Sequence, residues 1–160
     1  RELLQERVLV DCMEKRAAGA QKEACIRIRH TFEDGSSAAF VITDNPLALK
    51  NAAGQPVPTD WSALVAVFAA GNAWQFKGWP YKDATELFNK VQGYHLRFSD
   101  EKPNQIIKQW PVEKLMVSKQ KTKAHEVSVM VMKFWSTIHQ HMMRHKPHMV
   151  SRPLARQASM

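Results

Sequence analysis

Cysteine is nearly absent from this chain, with two in 160 residues. Cys12 and Cys25 make no metal-type spacing and no disulfide framework, which points to a reducing compartment, cytoplasm or nucleus. Long apolar runs are missing too. The longest, Ala63–Ala70, falls far short of the roughly 20 residues that span a bilayer. Arg1–Arg16 alternates charged and apolar residues where a secretory signal needs an apolar block. The expectation is a chain with no membrane role. Acidic residues stop at Glu126, while Lys133, Arg144, Lys146, Arg152 and Arg156 follow. The sequence carries neither an internal repeat nor a low-complexity segment.

What is present suits one compact domain. Hydrophobic residues make up 44% and aromatics 9%, enough for a real core and too much for a disordered chain. The net charge is +8, and Arg97–Lys123 sets seven cations against Asp100, Glu101 and Glu113. A basic face of this kind attracts nucleic acid, acidic peptides or phosphopeptides, or is simply a solvated surface.

Periodicity predicts a helix from Leu3 to about Ala18 and a strand over Ala24–Thr31. A turn at Glu33-Asp34-Gly35-Ser36 leads into a partner strand, Ser37–Thr43, giving an antiparallel hairpin. Pro46, Pro56, Pro58 and Gly54 mark Asp44–Asp60 as loop. Ala63–Ala69 reads as a strand covered on both faces and ended by Gly71. A helix follows at Asp83–Gln92, started by Asp83 with Glu86 three residues on. Then come a strand at Tyr94–Phe98, a helical turn at Ile106–Lys108 and a strand at Val112–Ser118. The longest helix is Ala124–His145, with Val127, Met130, Val131, Phe134, Ile138 and Met142 on one face and Pro147 as its stop. Residues 149–160 read as a flexible tail after a single domain over 1–148. Strands alternating with helices, plus a hairpin, point to an α/β three-layer sandwich around a mostly parallel sheet, in the small-GTPase layout.

That layout makes nucleotide motifs the first test. The six glycines never take the Gly-x-x-x-x-Gly-Lys-Ser/Thr spacing that cradles phosphates. No Asp-x-x-Gly occurs, and Asn89-Lys90 is followed by Val91-Gln92 instead of the acid that reads guanine. The nucleotide apparatus is therefore expected to be absent. His141 and His145 share a helical face, yet no carboxylate lies nearby in sequence to complete a metal site. No nucleophile-elbow pattern surrounds any serine, although a dispersed Ser/His/Asp set stays open. The expectation is no metal, no cofactor and no enzyme activity. Met130, Met132, Met142 and Met143 read as core filler.

The specific signal is Trp74-Gln75-Phe76-Lys77-Gly78-Trp79-Pro80, just after the most apolar strand. Aromatics beside a cation suit a recognition surface, and the same rings could plug the end of the sheet. Trp61–Phe68 followed by WQFKGWP resembles the hallmark stretch of the parafibromin C-terminal domain family. Lys133-Phe134-Trp135, His145-Lys146 and the surroundings of Trp110 are similar to later parts of it. The resemblance is strong over about Asp60–His148 and weaker over Arg1–Ala53.

It implies a Ras-like fold with its nucleotide chemistry lost and no catalytic residues. It also implies a nuclear subunit of the polymerase-associated factor (Paf) complex, holding that complex on RNA polymerase II and chromatin in support of elongation and histone modification. Two departures stand out: the family's apolar first strand has no counterpart before Arg1-Glu2-Leu3, and Ser151–Met160 runs past the usual family end. The expected partners are the phosphorylated or acidic tail of the polymerase, elongation factors and other Paf subunits. Trp74, Gln75, Lys77 and Trp79 are the candidate contacts, with Lys108, Lys114, Lys119 and Lys121 supplying charge. The alternative is a nucleic-acid-binding module using the basic surface. It would need aromatics along a strand face or an arginine-rich helix, whereas Arg27 and Arg29 stand isolated in the sequence.

Overall fold

A computed structural model of the chain describes residues 2–7, 12–23 and 25–153. Its described elements are, in chain order, α1 (Cys12–Ala17), β1 (Ile26–Thr31), β2 (Ser37–Ile42), β3 (Ala66–Phe68), α2 (Ala84–Lys90), β4 (Gln92–Phe98), α3 (Gln105–Gln109), β5 (Glu113–Val117) and α4 (Ala124–His145). They fall into two compact units. One holds residues 12–59 and 135–153, the other residues 2–7 and 60–134.

The helix expected from Leu3 to Ala18 is not continuous. Glu2–Glu6 forms one π-helical turn, and Arg7 takes φ 58°, a left-handed conformation that ends a right-handed helix. The stretch 8–11 of that expectation lies outside the described residues, and helix resumes at α1.

In the first unit, β1 and β2 pair antiparallel, with Ile28 opposite Phe40 and Thr31 opposite Ser37. The turn closes when the Phe32 amide donates to the Ser36 carbonyl at 2.8 Å and Asp34 Oδ1 accepts from the Ser36 amide at 2.9 Å. Alternation sends Ile28 and Ala38 inward and Arg27, Arg29, Ala39 and Val41 outward. On the inner side His30 stacks on Trp135 of α4 at 3.9 Å, and Phe40 lies 5.3 Å from the same ring. Residues 149–153 do not hang free as expected. Ser151 and Ser37 exchange backbone hydrogen bonds of 2.8 and 2.9 Å, and Val150 is buried. The edge of β2 offers the Ser37 amide and carbonyl, and Ser151 satisfies both.

In the second unit β3, β4 and β5 form a parallel sheet in that order, with Phe68 beside Tyr94 and Tyr94 beside Glu113. The hairpin forms a separate two-stranded sheet, so the single mostly parallel sheet expected from the sequence is divided. Beneath the sheet, Val67, Ala69, Leu87, Phe88, Val91 and Ile107 build a core. Burial of each of the larger side chains among them contributes about 1.5–3 kcal/mol. On the other face Phe134 of α4 packs on Phe68 at 5.6 Å and Tyr94 at 4.8 Å, and Lys133 pairs with Glu113 at 2.7 Å. The unit is three layers: helix, sheet, helices.

β3 is three residues long rather than seven. Ala63, its expected first residue, instead closes the 3₁₀ turn Trp61–Ala63, where Asp60 accepts from the Ser62 amide at 3.0 Å and the Ser62 hydroxyl at 2.6 Å. Nor is the strand covered on both faces throughout, since Phe68 is 38% exposed. Helix α4 keeps its expected bounds, but its methionines divide: Met142 is buried, whereas Met132 and Met143 are exposed.

Candidate functional site

The loop after β3 owes its shape to contacts at the strand's end. Gln75 turns its side-chain amide back onto the free edge of β3. Its Nε2 donates to the Phe68 carbonyl, and its Oε1 accepts from the Ala70 amide, both at 2.8 Å. The amide stands in for one residue of a neighbouring strand. At Gly71, with φ +87°, the backbone lies so close to Asn104 that a Cβ would fall 2.3 Å from Nδ2. Asn104 also caps α3 by accepting from the Ile106 and Ile107 amides. Buried His95 adds a hydrogen bond from Nδ1 to the Ala69 carbonyl at 2.7 Å.

On this base Ala73–Phe76 makes a 3₁₀ turn. Phe76 lies 5.2 Å from Trp79 and 5.6 Å from both Phe88 and Trp110, while Trp79 lies 5.1 Å from Trp61. Both rings are half-buried. Trp74 is the exception: it is 74% exposed, with no ring contact among the described residues. Lys77, on the same loop, is exposed and forms no ion pair among them. Lys77 and Lys82 are the charges of residues 61–82, between Asp60 and Asp83. The loop thus presents an indole and an ammonium from a rigid turn, without a carboxylate in its own segment.

The other proposed residues take different places. Gln75 holds the loop to β3, and Trp79 joins the aromatic packing below it. Lys108 and Lys114 are exposed on α3 and β5. Lys114 sits beside His95, one residue past the level of Phe68. Lys119 follows Val117, which lies four residues further along the sheet than Glu113, about 13 Å. There it pairs with Asp100 at 3.3 Å and sits 4.6 Å above the Phe98 ring. The Lys121 side chain lies outside the described residues.

One constellation escaped sequence reasoning. Ser36, Asp34 and His139 meet in the first unit: the Ser36 hydroxyl donates to Asp34 Oδ1 at 2.6 Å, and His139 Nε2 lies 3.2 Å from Ser36 Oγ and 3.5 Å from Asp34 Oδ2. With its hydrogen given to Asp34, Ser36 accepts from a protonated Nε2. A catalytic triad needs the opposite, with serine on an unprotonated Nε2 and the acid on Nδ1. The cluster clasps the hairpin turn to α4. The Ser36 hydroxyl and amide, and then the His139 ring, hold the Asp34 carboxyl below its ordinary pKa. His141 and His145 lie 4.7 Å apart, and burial first, then His145, Lys146 and Arg144, lower the His141 pKa. Among the described residues no group of three or more metal-type ligands assembles, and no helix is long and apolar enough to cross a membrane.

Residues 1–141 match the family model described as RNA pol II accessory factor, Cdc73 family, C-terminal. The chain belongs to the Cdc73 family. It is 30% identical over 153 residues to Cell division cycle protein 73 of Caenorhabditis elegans, covering 95% of the chain and 28% of that relative. It is 34% identical over 122 residues to the Arabidopsis thaliana Protein CDC73 homolog, covering 73% of the chain and 27% of the relative. The solved structure of the conserved domain of yeast Cdc73 superposes with a TM-score of 0.74 at 25% identity, over 91% of this chain and 86% of that one. The chain therefore corresponds to less than a third of these full-length relatives, and its mixed α/β fold with a three-stranded parallel sheet is that of the Cdc73 conserved domain.

Proposed function

We propose that this Cdc73-family domain is a non-catalytic docking module of a nuclear elongation complex of the Paf type. Its Ras-like layout carries binding in place of nucleotide chemistry. It helps tether that complex to RNA polymerase II and chromatin by taking an acidic, phosphorylated tail of the polymerase or of an elongation factor. The observation that carries this reading is Trp74, 74% exposed on a turn locked by Gln75 and Gly71. The exposed indole, on a turn held by hydrogen bonds, offers a large flat apolar surface to a partner, and aromatic anchors of this kind dominate interface energies. Stacked on a proline or tyrosine of the tail, the ring leaves Lys77 to meet a phosphate.

The test is capture of RNA polymerase II and elongation factors from nuclear extract, with phosphatase treatment of the extract as control. Capture that disappears after dephosphorylation supports the reading, and capture indifferent to phosphatase contradicts it. Titration of salt separates it from the nucleic-acid alternative, because displacement of many phosphate counterions makes nucleic-acid binding fall steeply with salt.

A further inference from the structure

Arg27 and Arg29 are two apart on β1, so both guanidinium groups leave the same side of the hairpin. That side is open: Arg27, Arg29, Thr31, Ala39 and Val41 are exposed, and Ser37 is half-exposed. Directly opposite the arginines stand small or apolar residues, Val41 across from Arg27 and Ala39 across from Arg29. The face is a shallow platform with two cations and no aromatic ring, since His30 and Phe40 turn inward onto Trp135.

Among the described residues, the hydrogen bonds of the arginines go to neutral groups. Arg27 donates to Cys25 Sγ at 3.4 Å and to the Lys50 carbonyl at 3.5 Å, and Arg29 donates to Ser37 Oγ at 3.4 Å. Neither forms an ion pair among the described residues; of the acids in and just beyond the hairpin, Asp34 is engaged by His139 and Asp44 by Lys22, while Glu33 is exposed in the turn. Two guanidinium groups on one strand face, neither paired with a carboxylate among the described residues, keep the capacity to bind anions.

We infer that the outer face of the β1–β2 hairpin is a second docking surface, taking an extended acidic peptide with carboxylates at alternate positions. The match is geometric. Side chains two apart on an extended chain repeat at roughly 7 Å on one face, which is the repeat of Arg27 and Arg29 themselves. Each carboxylate can then take one guanidinium fork, while the small residues between fall on Ala39 and Val41. A single-stranded nucleic acid would want rings to stack on, and this face has none.

The experiment measures fluorescence anisotropy of the full chain with two labelled peptides of equal composition: one alternates glutamate and valine, and the other groups its glutamates in a block. The alternating peptide is expected to bind tenfold or more tightly than the blocked one. Arg27→Ala/Arg29→Ala should lose that binding by tenfold or more with an unchanged melting temperature. A second variant, Val41→Glu, leaves both arginines in place but puts a carboxylate across from Arg27, and should weaken binding as well. Trp74→Ala should leave the affinity as it was, which keeps this surface distinct from the aromatic loop. The inference is overturned if the alternating peptide fails to bind or the two peptides bind equally. It is equally overturned if the arginine variant binds as the parent, if Trp74→Ala abolishes binding, or if an oligothymidylate binds more tightly than the peptide.

Discussion

Gly93→Ala probes the packing that carries the aromatic loop. Gly93 lies in β4 beside Val67 of β3, and a Cβ there would stand 2.5 Å from Phe88 Cδ1 and 2.6 Å from Val112 Cγ1. Ordinary carbon contacts lie at about 3.5–4.0 Å, so each neighbour must retreat by roughly 1 Å. Phe88 has little room to do so: it is buried and lies 5.6 Å from Phe76 and 5.7 Å from Trp110. Overpacking of a filled site costs about 1–3 kcal/mol, and the confinement of Phe88 places this one toward the upper end. For a chain of this size each kcal/mol lowers the melting temperature by about 2–4 °C, so about 2–3 kcal/mol corresponds to a fall of roughly 4–12 °C. Circular dichroism melts, with urea titrations to check that the m-value is unchanged, measure it. Phe88→Leu should cost less in the Gly93→Ala background than in the parent, a coupling that a double-mutant cycle reads directly. A melt within about 1 °C of the parent for Gly93→Ala would refute the packing argument.

Gln75→Ala removes both hydrogen bonds that hold the loop to β3, and at about 0.5–1.5 kcal/mol each it should cost roughly 1–3 kcal/mol and speed amide exchange at Ala70. Parent-like exchange at Ala70 would show that the amide is not what pins the loop. Asp34 is held ionised to lower pH in the folded chain than in the unfolded one, so its contribution is present above the unfolded value of about 3.9 and is lost as pH falls through the folded value. The stability gap between the parent and Asp34→Asn should therefore narrow from pH 5 to pH 3, and a gap that widens with acid would contradict the clasp.

The longest helix was legible because its signals agree. Val127, Val131, Phe134, Ile138 and Met142 repeat at helical spacing, and Pro147 stops it, so α4 keeps the bounds read from the sequence. The hairpin and the Asp83 cap of α2 were legible for the same reason: turn chemistry and period coincide. Misreadings came where local hydrogen bonds or backbone conformation outweighed the apolar pattern. The Asp60–Ser62 hydrogen bonds draw Ala63, the first residue of the expected strand, into the 3₁₀ turn Trp61–Ala63, and the left-handed Arg7 interrupts a continuous-looking helix.

In the candidate site, the exposed Trp74 and half-buried Trp79 have the same residue type in the same motif, so composition could not assign their roles. The difference lies in Trp61 and Phe76, which cover one ring and not the other. Gln75 read as a contact residue because its partners, Phe68 and Ala70, are backbone groups that only the folded-back loop brings near. The Ser36–His139 contact joins residues 103 apart, beyond any local pattern. Arg27 and Arg29 looked isolated in a linear reading, yet the strand's period-two alternation already placed them on one face.

The central claim is that Trp74 with Lys77 docks a phosphorylated acidic tail, and one titration tests it most directly. A fluorescent phosphopeptide containing proline and tyrosine is titrated with the parent, with Trp74→Ala and with Lys77→Glu, alongside the unphosphorylated peptide. Trp74 is open to solvent, so Trp74→Ala should melt as the parent does while binding weakens by about 2 kcal/mol or more, roughly thirtyfold. Lys77→Glu should weaken binding too, and more so at low salt, where an exposed charge is least screened. Parent-like affinity in both folded variants, or equal affinity for the two peptides, would contradict the account.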